Sequence, residues 1–201
     1  MQLVSLTSRQ PIGTLAQSGS VRSAAFSADG SMLYTCGGDG VLHTWDLRTR
    51  RCMARGIDEG CLNSTALAAS SDGALLAAAS TSGVVNLYDP GTLRWAPPGA
   101  PGPRAPPRLT PAKSLMHHTT LVDTLAFSPT SELLGFGSRM QRDALKLLHV
   151  PSRTVFSNWP TSRSPLGYVH CADVSPRGGL LAIGNAKGRV LLYRLHHYQE
   201  A

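Results

Sequence analysis

An all-β chain of repeated small sheets is what this sequence predicts, on three observations. One phrase returns four times: Phe26-Ser-Ala-Asp29-Gly30, Ala69-Ser-Ser-Asp72-Gly73, Phe127-Ser-Pro-Thr-Ser131 and Val174-Ser-Pro-Arg-Gly178. Each copy leads through two short apolar strands to an aromatic or histidine end point, at Trp45-Asp46, Tyr88-Asp89, His149-Val150 and Tyr193-Arg194. The step from Asp29 to Asp72 is 43 residues, and so is the step from Asp46 to Asp89. A period of roughly 40–45 residues with a Trp-Asp end signal describes the four-stranded blade of a WD-repeat β-propeller. The chain holds about four such blades plus a partial one, so the propeller is incomplete.

Each element follows from period-2 alternation and turn punctuation. Gln2–Leu6 and Pro11–Ala16 align with strands c and d of a preceding blade whose first half is missing. Val21–Phe26, Met32–Cys36, Val41–Asp46 and Arg51–Arg55 are expected as strands a to d of the next. Asp29-Gly30 and Asp39-Gly40 supply its tight turns, because glycine accepts the positive φ such turns need. Leu62–Ala69, Ala74–Ala79 and Val84–Tyr88 open the second full repeat. A Pro-, Gly- and Ala-rich stretch from Trp95 to Pro111 then interrupts it. Proline has no amide to give to a sheet ladder, so a disordered loop is expected at 94–111, with Ala112–Met116 as a postponed strand d. This explains why the third end point lies 61 residues after the second.

The third repeat is expected over Val122–Phe127, Leu133–Gly137, Ala144–His149 and Thr154–Ser157. The fourth is expected over Val169–Val174, Leu180–Ile183 and Arg189–Tyr193, with too few residues left for an outer strand. The predicted units are therefore 1–20, 21–59, 60–118, 119–165 and 166–201. The beginning reads as cut from a longer protein or made as a short form. An alternative is a compact four-bladed ring closed by Pro11–Ala16.

Charged residues make up 15% of the chain, against about 25% in an average domain. The net charge of +7 favours acidic partners, RNA among them, although the basic residues are scattered. The densest group is Arg48, Arg50, Arg51 and Arg55. Cys36, Cys52, Cys61 and Cys171 form no CxxC pair, and Cys36 and Cys171 read as buried, reduced thiols on strands. No secretory signal is seen at the start, and no apolar run is long enough to span a bilayer. A soluble intracellular protein with no membrane partner is expected.

The candidate site residues are structural ones. Asp39, Trp45 and Asp46 are the WD-type positions of the first full repeat. In this fold such an aspartate ties a histidine, a Ser or Thr and the tryptophan into a buried network. His118, nine residues before Phe127, is the histidine of that set, whereas the same offset in the first repeat gives Gln17 and an incomplete network. The His117-His118 and His196-His197 doublets lack a carboxylate or Cys at ligand spacing, and neighbours on a strand face opposite ways, so no metal is expected. No GxSxG elbow, P-loop or GxGxxG after a strand is present. No enzyme activity, cofactor or small-molecule substrate is expected. Trp45-Asp46-Leu47-Arg48 also matches the WDxR pattern of propellers that serve cullin-type ubiquitin ligases as substrate receptors, which makes Arg48 a candidate contact in an alternative reading.

Several wordings are unusual for a generic repeat. They are Arg51-Cys-Met with Asp58-Glu59-Gly60, Ser82-Gly-Val-Val-Asn-Leu-Tyr88 and Pro151-Ser-Arg-Thr-Val-Phe-Ser-Asn158. The end adds Ala182-Ile-Gly-Asn185-Ala-Lys-Gly188 and Leu192-Tyr-Arg-Leu-His-His-Tyr198. Together they resemble the C-terminal propeller of the U3 small nucleolar RNA-associated protein eighteen family. The resemblance implies a non-catalytic scaffold in the nucleus and nucleolus, within the small-subunit processome, supporting processing of precursor ribosomal RNA. It implies processome proteins as partners, with an indirect or weak contact to U3 RNA and pre-rRNA. It carries over no catalytic or cofactor residues.

Overall fold

The computed structural model describes residues 1–91, 106–161 and 165–198. Among them are seventeen strands in five antiparallel sheets and one short 3-10 turn at His196–Tyr198. The first sheet is the hairpin of β1 (Gln2–Val4) and β2 (Pro11–Thr14). The second runs β3 (Val21–Phe26), β4 (Met32–Gly37), β5 (Val41–Asp46) and β6 (Arg51–Ile57) in order. The third runs β7 (Ser64–Ala69), β8 (Leu76–Ser80), β9 (Val85–Tyr88) and β10 (Lys113–Leu115). The fourth has β11 (Thr124–Phe127), β12 (Leu133–Gly137), β13 (Leu145–His149) and the two-residue β14 (Thr154–Val155). The fifth has three strands, β15 (Val169–Val174), β16 (Leu180–Asn185) and β17 (Val190–Arg194). The all-β, incomplete propeller read from the sequence is the fold observed.

The repeated phrase has a local cause. Its serine lies in the turn between the first two strands of each four- or three-stranded sheet. There its hydroxyl accepts the amide of the residue that opens or borders the second strand. The pairs are Ser27 with Met32, Ser70 with Leu75, Ser128 with Leu133 and Ser175 with Leu180, at 2.9–3.2 Å. The turn then requires a left-handed residue, which is Gly30, Gly73 or Gly178 in three sheets and Ser131 (φ 59°) in the fourth.

Apolar side chains weld each sheet to the next. Leu15 and Leu3 of the opening segment pack on Leu33 and Trp45. Cys36 and Leu42 meet Leu67, Leu76 and Tyr88 across the second joint. Leu87 and Leu115 meet Leu134, Phe136 and Leu148 across the third, and Leu145 and Leu147 meet Leu181 and Ile183 across the last. The first strands of successive sheets are also tied by polar bonds. The Leu67 amide donates to Ser23 Oγ at 3.1 Å, Thr65 Oγ1 donates to the Val122 carbonyl, and Thr124 Oγ1 donates to the His170 carbonyl at 3.5 Å.

Three expectations are corrected. Residues 94–105 of the expected disordered loop lie outside the described residues, but 106–111 are ordered. Leu109 is fully buried, its amide donates to the Ile57 carbonyl at 2.8 Å, and Ile57 donates to the Pro107 carbonyl at 2.8 Å. Leu109 sits where Gly56 leaves room for it, and that small backbone site sets its position. The ring closure by Pro11–Ala16 is not formed, because β2 is paired to β1 and Leu15 is committed to the Trp45 joint. Cys171 is exposed, not buried. It occupies the register position of Ser23 and Thr124, which the next sheet's first strand covers; among the described residues no sheet follows the fifth.

Candidate functional site

The site residues named from the sequence fall at the joints between sheets. Trp45, at the end of β5, donates from Nε1 to the Thr35 hydroxyl at 2.9 Å. Thr35 in turn donates to Oε1 of Gln17 at 2.7 Å. Gln17 therefore does the work expected of a histidine, since an amide oxygen accepts from a hydroxyl as well as a ring nitrogen does. The chain of bonds stops there. Asp39 accepts the Val41 amide at 3.2 Å within its own turn, and Gln17 Nε2 is buried without a partner.

Asp46 lies at the other end of the strand and holds the turn after it. It accepts the amides of Arg48 and Thr49 and the Thr49 hydroxyl, at 2.8, 3.3 and 2.9 Å. The Thr49 hydroxyl, helped by those amides, keeps its carboxyl below the usual range. Asp29 behaves alike: hydroxyl donation from Ser27 and Ser31 brings it down to about 2. Arg48 is exposed on the turn between the third and fourth strands of its sheet, with Arg50 and Arg51 exposed beside it in sequence.

His118 is buried as its alignment suggested, but it meets no hydroxyl. The register pairs Leu134 with Leu148 as it pairs Leu33 with Trp45, so Phe136 stands where Thr35 stands. The ring of His118 packs edge-on against Phe136 at 5.3 Å, and its Nε2 has no hydrogen-bond partner. Burial lowers its pKa and keeps it neutral. The polar network is thus replaced here by an apolar one. Neither histidine doublet lies on a strand: His117 and His118 are in a loop, and His196 and His197 open the 3-10 turn. Among the described residues no group of three His, Cys, Asp or Glu side chains could hold a metal ion.

A second network was not visible in the sequence. Tyr88 takes the tryptophan position of the third sheet, and its hydroxyl donates to the carboxylate of Asp58. Asn86 donates to the same oxygen and to the Glu59 carbonyl, each at 2.7 Å, and accepts from Ser114 at 2.7 Å. The Glu59 amide returns a bond to the Tyr88 oxygen at 3.1 Å. Asp58 is 1% exposed, and burial raises its pKa despite these donors. The spacing of Asp58 and Tyr88 from the repeat was the only available signal. Nearby Cys36 is pushed up by burial to about 11, so it is an inert thiol.

On the surface the basic excess stands largely uncompensated. Among the described residues, ion pairs join Arg139 to Asp123 at 2.9 Å and Arg142 to Asp143 at 3.6 Å. No helix among them is long and apolar enough to cross a membrane.

Comparison with known proteins bears on these repeats. The WD domain, G-beta repeat family model matches residues 9–46. A solved structure, titled a computationally designed Ika4 protein, superposes with a TM-score of 0.65 at 17% identity, covering 90% of this chain and 96% of its own. That likeness concerns the fold alone. In Arabidopsis thaliana, a U3 small nucleolar RNA-associated protein 18 homolog is 44% identical over 99% of this chain and 34% of its own length. The human homolog is 37% identical over 100% of this chain and 34% of its length. The Saccharomyces cerevisiae protein of that name is 47% identical over 61% of this chain. Over nearly all its residues, then, the chain is a relative of the U3 small nucleolar RNA-associated protein 18 family, built of WD repeats and spanning about a third of those proteins' length.

Proposed function

We propose that the chain is a non-catalytic WD-repeat scaffold of the nucleolar small-subunit processome, supporting pre-rRNA processing and small-subunit assembly. The observation that carries the reading is the similarity over nearly the whole chain to proteins whose names tie them to U3 small nucleolar RNA. The geometry suits such a role. The buried polar groups of Trp45, Thr35, Tyr88 and Asp58 engage other residues of the fold, which leaves turns and sheet faces as the surfaces for partners. A basic protein with few ion pairs is suited to lie near RNA and acidic protein segments. Processome proteins are the partners, with weak or indirect contact to U3 RNA and pre-rRNA, in the nucleus and nucleolus. The test is to purify a tagged form of the chain from cells, identify the proteins and sequence the RNA. Enrichment of processome proteins with U3 RNA and precursor ribosomal RNA is the expected result. Recovery of a cullin adaptor, lost with Arg48→Ala, would overturn it.

A further inference from the structure

The fifth sheet has an unfilled place. In the second sheet Cys52 of β6 lies opposite Trp45 of β5, and in the fourth Val155 of β14 lies opposite Leu148 of β13. Each of these outer-strand residues points back into the joint with the preceding sheet. Tyr193 of β17 is the equivalent of Trp45 and Leu148, because Leu181 pairs with it as Leu33 pairs with Trp45. Among the described residues no strand lies opposite Tyr193, and β17 pairs with β16 alone.

At that place there is a groove of about 370 Å³. Leu133, Leu147 and Phe156 of the fourth sheet and its following turn form one wall, and Trp159, Tyr193 and Leu195 form the other. The ring of Trp159 meets Tyr193 edge-on at 4.8 Å, which holds that wall upright. The groove is an outer-strand seat without its side chain.

The backbone beside it is also open. The Leu195 amide donates to the Gly179 carbonyl, and the Arg189 carbonyl accepts from Asn185, so odd-numbered residues of this segment turn their peptide groups towards β16. By the two-residue alternation of a strand, Val190, Leu192 and Arg194 present theirs to the open edge. Charge adds a preference. Arg194 and His196 line the groove, and Lys146 Nζ lies 3.4 Å from the Trp159 carbonyl. No carboxylate lines it; Asp143, the acid whose charge reaches Tyr193, is in an ion pair with Arg142. In the second sheet the residue opposite Arg51 is Asp46, the same cross-strand pairing with the charges exchanged.

We propose that the β17 edge and this groove together take up an extended acidic and apolar segment of a partner protein as an antiparallel fourth strand. A small branched apolar residue of that segment lies opposite Tyr193 and fills the groove. The residue before it is an Asp or Glu opposite Arg194. Strand addition of this kind draws affinity from main-chain bonds and selectivity from alternate side chains. The proposal goes beyond the processome reading and holds whichever assembly the chain joins.

The probe is a dye-labelled synthetic peptide that alternates glutamate with valine, against a control with the same residues in two blocks. The full chain is expected to bind the alternating peptide saturably by fluorescence anisotropy and to ignore the control. Leu192→Pro removes one outward amide while the side chain it replaces is 64% exposed, so the sheet itself keeps its bonds. That variant, checked for an unchanged thermal midpoint, is expected to bind roughly tenfold more weakly, about the worth of one or two strand hydrogen bonds. Arg194→Glu is expected to shift preference to a lysine–valine peptide. On binding, the amides of Val190, Leu192 and Arg194 should become protected from hydrogen exchange. No saturable binding, equal binding of the control, or binding that leaves those amides unprotected would each overturn the proposal.

Discussion

The phenol of Tyr88 and the carboxylate of Asp58, thirty residues apart in sequence, share a hydrogen bond in a place that water does not reach. One oxygen of Asp58 takes every bond, and Oδ2 has no partner. Burial raises the pKa of Asp58 in the folded chain above its ordinary value of 3.8. A raised folded value means that the protonated form is favoured by folding. Its stabilising contribution is therefore complete below the ordinary carboxylate value and is lost as pH rises through the folded one. Asp58→Asn should flatten this part of the pH dependence. Thermal midpoints of both forms, measured from neutral pH down to about the ordinary carboxylate value, should converge at the acid end. Parallel curves would assign the pH dependence to other groups.

The Thr35 hydroxyl both accepts from the Trp45 indole and donates to Gln17. Thr35→Val keeps the shape and removes both bonds, leaving a buried N–H and a buried carbonyl oxygen without partners. The expected loss is about 2–4 kcal/mol by urea unfolding, since each orphaned group costs about 1–3 kcal/mol. A loss below about 0.5 kcal/mol, the level of an ordinary surface substitution, would show that the network does not hold the joint.

Gly56 and Leu109 form a pair of another kind. A Cβ on Gly56 would run into the Leu109 side chain, which is 2% exposed. Gly56→Ala is expected to cost about 1–3 kcal/mol by overpacking, and Leu109→Ala about 2–5 kcal/mol by leaving a hole. Together they should cost clearly less than the sum, because the added methyl enters the space that the leucine vacates. Additive losses would mean that the two do not meet.

The repeat was legible because it is written in local chemistry. Ser27, Ser70, Ser128 and Ser175 each close their own turn, and the strands around them alternate as half-buried strands must. What was hidden depends on pieces that meet only in space. Leu109 stands at the end of a proline-rich stretch whose composition reads as disorder, and its seat at Gly56 is over fifty residues earlier. The environment of His118 is decided by Phe136, which the repeat phrase does not include. Cys171 has the strand pattern of a buried residue but no sheet beyond it. Gln17 was misjudged for a chemical reason: a carboxamide can substitute for an imidazole as an acceptor.

Each sheet touches only the sheet before and the sheet after it, through its own cluster of apolar side chains. The strands β8 and β9 of the third sheet are buried throughout, whereas Val190 and Leu192 of the fifth are 73% and 64% exposed. Such a stack behaves as a row of coupled units, and its cooperativity is only as strong as its weakest joint. Denaturant should therefore fray the chain from its two ends inward, with the amides of the third and fourth sheets the last to exchange.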